Sequence, residues 1–244
     1  MINGYPSTEK LYEGRQTIVY RGVRESDKQP VIVKILKGEY PSPESLARLK
    51  REYEIIRDIN SDRSIDGVVK VYGLEKSQST LAMIFEDFGG ESLSRLFTAG
   101  HPLELPLNRP LDLKDFLNLF IRITEIVGQI HQCGIIHKDI NPTNIVFNPQ
   151  TNIIKLIDFG IASQLSREIT TAGNPGVLEG TLPYMSPEQT GRMNRVLDFR
   201  TDFYSNLKNL ALRARSEYSG FAIYTAQCYS EVKLSPQQYQ GVTH

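Results

Sequence analysis

The sequence predicts a mixed α+β chain, a β-rich first part followed by a helical second part. Three observations predict it. Short β-branched runs separated by turns fill residues 11–36 and recur at 68–85. Two longer segments, around 44–59 and 112–133, carry apolar residues at helical spacing. Between Ile136 and Gly160, two short apolar runs bracket a polar turn and place oxygen-bearing side chains at their ends.

With 244 residues the chain is long enough to bury a substantial core as one large domain or two lobes. Lys plus Arg equals Asp plus Glu at 28 each, so nothing in the overall charge points to nucleic acid or to an anionic membrane. The two cysteines, Cys133 and Cys228, are far apart, which argues against a disulfide scaffold or a Cys-based zinc site and fits a reducing compartment. The start lacks a basic region followed by an apolar one, and no apolar run approaches membrane-spanning length. A cytoplasmic protein is expected.

Thr17 to Tyr20 and Val31 to Leu36 read as a hairpin joined by the polar stretch Glu25 to Pro30. Gly14 precedes the first run and taken alone is a turn glycine. Lys34, at the end of Val31-Ile32-Val33-Lys34, could face solvent by simple alternation. The next helix argues otherwise. After Pro41 and Pro43, the residues Leu46, Leu49, Glu52, Tyr53, Ile56 and Ile59 share one face, with Arg51, Glu54 and Asp58 on the other. Glu52 is therefore an acid on the inward stripe, and it needs a cation to offset its desolvation. Lys34 is the natural partner, and the nearby Glu54 is the weaker choice on geometry.

Val68 to Tyr72 and Leu81 to Phe85 read as two further strands, ending in the turn Glu86-Asp87-Phe88-Gly89-Gly90. Glu91 to Phe97 suits a short helix, and Thr98 to Pro110, with three prolines, a surface loop. Asp112 to Cys133 is a buried helix, its Phe116, Leu119, Phe120, Ile123, Ile126, Val127 and Ile130 facing inward and Gly134 closing it. His131 and Cys133 are read as packing residues. Ile145 to Phe147 and Ile153 to Ile157 then pair across Asn148-Pro149-Gln150-Thr151-Asn152, bringing Asn144 and Asp158 to the same end. Asp139, five residues before Asn144, reaches the same spot, and such oxygen donors suit a hard cation such as Mg2+.

His137-Lys138-Asp139-Ile140-Asn141-Pro142-Thr143-Asn144 and Asp158-Phe159-Gly160 resemble the HRDLxxxN and DFG motifs of the protein kinases. The resemblance is to the eukaryotic-like Ser/Thr protein kinase domain, which implies a two-lobed α+β kinase fold. It covers residues 9–205 and implies transfer of the γ-phosphate of ATP to Ser or Thr hydroxyls of proteins in bacterial signalling. It assigns Asp139 as base, Asn144 and Asp158 as Mg2+ ligands, and Lys34 with Glu52 on the phosphates. Together these make the catalytic set Asp139, Lys34, Asn144 and Asp158. The nucleotide-binding set it implies is Gly14, Val19, Ile32, Lys34, Glu52, Glu86, Phe88 and Val146. Gly14 would lie in the phosphate-covering loop, Phe85 at the back of the pocket, and the Glu86 and Phe88 backbone on adenine. His137 would stack under Phe159. Ile161 to Glu179, with Ser163, Ser166, Thr170 and Thr171, resembles an activation segment ending in Gly180-Thr181-Leu182-Pro183-Tyr184-Met185-Ser186-Pro187-Glu188. That ending disfavours a small-molecule kinase. Asp202 would brace the catalytic loop.

The implied division is residues 1–88 as the first lobe with its hinge, 89–205 as a partial second lobe, and 206–244 as an atypical tail, frame-shifted or disordered. Beyond Ser205, Leu207 to Ala214 has some helical character and little organised apolar pattern follows, and Glu188 is expected to lack a buried Arg partner. A truncated kinase, from a reading-frame disruption near codon 206, is the expectation. Asn141 stands for the family's Lys, Lys138 for an Arg and Ile32 for an Ala, so a noncatalytic nucleotide-binding or interaction module is the alternative. The wording of HKDINPTN, DFGIASQLS and EGTLPYMSPEQTGRMNR is similar to the domain opening large bacterial sensor proteins with ATPase-like, GAF and histidine kinase modules. Downstream modules of that kind are the partners implied in a longer relative, beside ATP and a protein substrate.

Overall fold

The computed structural model describes residues 2–38, 40–62, 65–77, 80–98, 113–166, 179–193 and 196–217. The surface loop expected at Thr98 to Pro110 falls almost wholly outside them, as do Thr170, Thr171 and most of the tail.

Alternation builds the first sheet. Strands β1 (Ser7–Glu13), β2 (Thr17–Val23), β3 (Pro30–Leu36), β4 (Val71–Ser77) and β5 (Thr80–Glu86) form an antiparallel sheet in the order β1-β2-β3-β5-β4. Val31 and Val33 are 0% and 1% exposed and pack with Ile2, Ala82 and Ile84 on one side. Ile32 and Lys34 therefore point to the other side, into the cleft. The β2–β3 register sets Val19 opposite Lys34, and β3–β5 sets Met83 opposite Lys34 and Phe85 opposite Ile32.

Helix α1 (Pro43–Asp62) starts where Ser42 Oγ accepts the Ser45 N–H at 3.1 Å, with Pro43 in the first turn where no amide partner is needed. Its inward stripe is the one the spacing gives. Leu49, Glu52, Ile56 and Ile59 are buried, and Arg51, Glu54 and Asp58 are exposed.

The second half begins with β6 (Glu91–Ser92), α2 (Leu93–Thr98) and α3 (Leu113–Gln132). At the end of α3, Gly134 takes φ +72°, a left-handed cap that a side chain would strain. Strand β7 (Ile135–Ile136) pairs with β10 (Ser163–Gln164), while β8 (Ile145–Asn148) and β9 (Ile153–Leu156) make the expected hairpin beside β6. Asn148 Oδ1 accepts the amides of Gln150 and Thr151, which forces the chain to turn. A 3-10 turn at Leu182–Tyr184 and helix α4 (Arg200–Glu217) complete the described chain. One apolar core runs through both halves, from Ile56 and Met83 through Phe116, Ile123 and Ile130 to Phe147, Leu156 and Phe159.

Four local expectations are corrected. Strand β1 carries almost no apolar signal, because an edge strand with mostly exposed side chains needs none. The strand expected at Val68 to Tyr72 runs instead from Val71 to Ser77; Val68 and Val69 are buried, and the backbone at 67–69 bonds to Leu156. Glu91 and Ser92 extend the β8 sheet before the helix starts. Helix α4 continues past Ser205, with Asn206 Nδ2 donating to Thr124 Oγ1 at 2.8 Å and Asn209 Nδ2 to the Ile140 carbonyl at 3.0 Å.

Candidate active site

Strand β3, helix α1 and the end of the β8–β9 hairpin deliver three charged groups to one place. Lys34 Nζ lies 2.8 Å from both carboxylate oxygens of Glu52 and 3.0 Å from Asp158 Oδ1. Glu52 is 2% exposed and Lys34 14%, whereas the Asp158 side chain is 46% exposed and faces the cleft. Burial and pairing oppose each other here. Burial alone would lower the Lys34 ammonium, but Asp158 and Glu52 outweigh it and raise it well above its ordinary range. Burial pushes Glu52 up to about 6 against the pull of Lys34. Lys34 holds Asp158 below the usual carboxylate range. Arg48 adds its attraction to both acids, and the exposed member, Asp158, is held in its ionised form.

The second residue after the β9 strand explains the geometry further. Asp158 has φ +63°, a left-handed conformation uncommon in residues that carry a side chain. Phe159, fully buried, fixes the turn by packing on His137 with ring centroids 4.6 Å apart and planes tilted by 57°, so the expected stack is a tilted contact. His137 Nδ1 accepts the Asp139 amide at 3.3 Å, so Nε2 carries the proton it gives to the Ile157 carbonyl at 3.1 Å.

Asp139 is partly buried and held at both oxygens. Thr181 N–H donates to Oδ1 at 2.9 Å and Asn144 Nδ2 to Oδ2 at 2.9 Å. Asn144 Nδ2 also donates to the Asp139 carbonyl at 2.9 Å, which leaves Asn144 Oδ1 as the atom available to a cation. Asn141, 2% exposed, gives Nδ2 to the Asp139 carbonyl and to Thr181 Oγ1, and accepts the Thr143 amide. It brackets the loop and carries no charge toward the cleft.

Asp202 braces this loop from α4. Its carboxylate, fully buried, accepts from His137 N at 2.8 Å, Lys138 N at 2.7 Å and the His131 ring at 2.9 Å. His131 is thus a bracing residue, and only its distant partner reveals it. Glu188, expected to lack an Arg partner, accepts from Thr201 Oγ1 at 2.9 Å, a neutral hydroxyl on the second residue of α4.

The other cleft residues form the connection between the halves. Glu86 pairs with Lys155 at 2.7 Å and accepts the Lys70 amide at 2.7 Å, Lys155 lies over the Phe88 ring, and Asn148 Nδ2 donates to the Phe88 carbonyl. Arg21 on β2 binds Asp87 at 2.7 Å. Gly90 is required by close approach: a Cβ there would lie 2.6 Å from Phe88 and 2.7 Å from Val146. Gly14 closes the β1–β2 turn, its N–H donating to the Thr17 carbonyl at 2.9 Å with the Tyr12 ring folded over it. Its amide is spent on the hairpin, which strengthens the turn reading. Sequence reasoning missed Lys155, Asn148, Arg21 and Arg48, whose guanidinium sits beside Gly160 one turn before Glu52. Only the one-turn spacing of Arg48 from Glu52 offered a signal.

The model of the protein kinase domain family matches residues 5–206. Serine/threonine-protein kinase PrkC of Bacillus subtilis is 33% identical over 161 residues, covering 65% of this chain and 22% of that protein. Serine/threonine-protein kinase pkn3 of Myxococcus xanthus is 30% identical over 206 residues, covering 79% and 34%. The probable serine/threonine-protein kinase PknB of Bifidobacterium longum is 28% identical over 181 residues, covering 72% and 25%. The matched segments span 22% to 34% of the length of these relatives.

Proposed function

Since this chain belongs to the protein kinase domain family, we propose that it transfers the γ-phosphate of ATP to Ser or Thr hydroxyls of a protein substrate in bacterial signalling. The observation that carries the proposal is the pairing of Lys34 with Glu52 and Asp158 on one wall of the cleft, while Asp139 and Asn144 meet on the other. Asp139 accepts the substrate hydroxyl proton as the oxygen attacks phosphorus; Thr181 N–H and Asn144 Nδ2 hold its carboxylate in place. Lys34 turns from Asp158 toward the α and β phosphates and keeps Glu52 as its anchor. Val19, Ile32 and Val146 enclose the adenine, and the backbone of Glu86 and Phe88 meets its edge.

The donor set fits Mg2+. Asp158 and Asn144 both offer oxygen, and a cation held by few protein oxygens plus phosphate and water is the usual Mg2+ arrangement. Among the described residues, no three His, Cys, Asp or Glu side chains cluster to hold a metal by themselves, so the cation would arrive with the nucleotide. When bound, Mg2+ neutralises phosphate charge that develops during transfer.

Residues 1–88 serve as the first lobe with its hinge and 89–205 as the catalytic part of the second lobe, with Asn206 and Asn209 at the start of the remaining segment still bonded to Thr124 and to the loop at Ile140. The matched segments cover 22% to 34% of the relatives, which is compatible with a domain of a larger protein; that this larger protein is a sensor with downstream histidine kinase modules rests on the wording of the catalytic and activation segments alone. No helix among the described residues is long and apolar enough to cross a membrane; the cytoplasm is the proposed location on the ground that two widely spaced cysteines suit a reducing compartment. A second reading, a noncatalytic nucleotide-binding module, is favoured by Asn141, whose amide bridges Asp139 and Thr181 where the family's Lys meets the transferring phosphate. The test measures ATP/Mg2+ thermal stabilisation and phosphotransfer to a generic protein substrate, for this chain and for Asp139→Asn. Stabilisation of both with transfer by the first alone supports the kinase; stabilisation without transfer by either supports the binding module.

A further inference from the structure

The peptide that precedes Asp139 is held in a conformation its own residue disfavours. Lys138 has φ +67°, where the Cβ of any residue but glycine crowds the backbone. Such a peptide persists only when its surroundings hold it at both ends. The Lys138 N–H is held by Asp202 Oδ1 at 2.7 Å. Its carbonyl, which shares a peptide plane with the Asp139 N–H, accepts from Gln189 Nε2 at 2.8 Å.

The other end of the Gln189 amide reaches the substrate-side segment. Gln189 Oε1 accepts from Ser186 N at 3.0 Å and from Ser186 Oγ at 3.3 Å, and Ser186 is fully buried. The amide cannot be flipped, because a carbonyl only accepts and a backbone N–H only donates. Gly180 lies beside the contact and takes φ +119°, a left-handed conformation that a side chain would strain. The residue after it, Thr181, is the one whose N–H binds Asp139 Oδ1.

We infer that Gln189 is a positioning residue: its side-chain amide ties the seating of residues 180–189 to the orientation of the Lys138–Asp139 peptide, and so aims the Asp139 carboxylate. The catalytic meaning rests on the reading of Asp139 as base. Only a neutral amide can do this at that length. A Glu in its place still accepts from Ser186 but sets a carboxylate against the Lys138 carbonyl; a Leu offers neither bond.

Residue-resolved amide hydrogen exchange tests the coupling without requiring activity. In Gln189→Glu and Gln189→Leu, exchange at the Asp139 and Thr181 amides should rise by about tenfold or more, as expected for a lost buried hydrogen bond. Exchange at Ile123 to Ile130 in α3 should stay unchanged. In phosphotransfer assays kcat should fall by roughly tenfold to a hundredfold with the KM for ATP held within about twofold, because Lys34, Glu52 and the connection at Glu86 and Phe88 lie on other elements. Unchanged exchange at Asp139 and Thr181, a rise spread equally through α3, or a loss carried by the KM for ATP overturns the inference. A wild-type chain that transfers no phosphate defeats the kinase reading alone, and the exchange data still decide the role of Gln189.

Discussion

At Glu52, burial and pairing oppose each other so directly that the outcome is readable against pH. Its side chain is 2% exposed, and burial moves its carboxyl from an ordinary 4.5 up to about 6 despite Lys34 at 2.8 Å. A rise of that size corresponds to about 2 kcal/mol. The folded state then binds a proton more tightly than the unfolded chain does. Stability from this group is therefore fully present below 4.5 and is lost as pH climbs through about 6. Glutamine copies the protonated carboxyl at every pH. The stability of Glu52→Gln relative to the unaltered protein should thus increase by about 2 kcal/mol between acid and neutral pH, or roughly 4–8 °C in Tm for a domain of this size. Thermal unfolding of both proteins without nucleotide, in steps from about pH 3 to pH 8, measures it, and carboxylates remote from Lys34 cancel in the difference. Parallel Tm curves, or a gap that widens toward acid, would refute the reasoning. At neutral pH the same substitution should weaken ATP/Mg2+ stabilisation, because Lys34 loses one of its two anchors.

Lys34→Met leaves Glu52 buried and unpaired, so it should cost about 3–5 kcal/mol and abolish the ATP/Mg2+ thermal shift; the double variant with Glu52→Gln should recover most of the stability but none of the shift, as chemical denaturation will show. Asp202→Ala strands the amides of His137 and Lys138 and the ring of His131, and a loss of about 3 kcal/mol or more, near 10 °C in Tm, is expected. Gly90→Ala drives a methyl within 2.7 Å of Val146 and 2.6 Å of Phe88; calorimetric titration should find ATP affinity lowered by about tenfold, from a displacement costing roughly 1–3 kcal/mol. Mg2+ added without nucleotide should leave Tm unchanged, since Asp158 and Asn144 are too few ligands alone.

Much of the site was legible because its signals are periodic and local. Alternation in Val31 to Lys34 and the stripe of α1 put an acid and a base on facing surfaces, and burial of Glu52 required the pair. The turn at Asn148 to Asn152 closed a hairpin whose ends had to bring Asn144 and Asp158 together. Strand β1 escaped notice because an exposed edge strand buries too little to pattern its residues. The start of β4 was misplaced because Val68 and Val69, apolar enough for a strand, are buried beside Leu156 in the other half of the chain.

The sequence by itself determined the Lys34–Glu52 pair and the meeting of Asn144 with Asp139 and of the hairpin ends at Asn144 and Asp158, since each follows from a period, a short spacing or a local turn. Only the tertiary structure decided that His131 and Asp202 brace one loop, that Lys155 and Asn148 clamp the connection at Glu86 and Phe88, and that Gln189 spans Lys138 and Ser186. The physical reason is that a buried donor must find an acceptor wherever packing brings one. His131 meets Asp202 across 71 positions and Gln189 meets Lys138 across 51, and no local pattern encodes such a meeting.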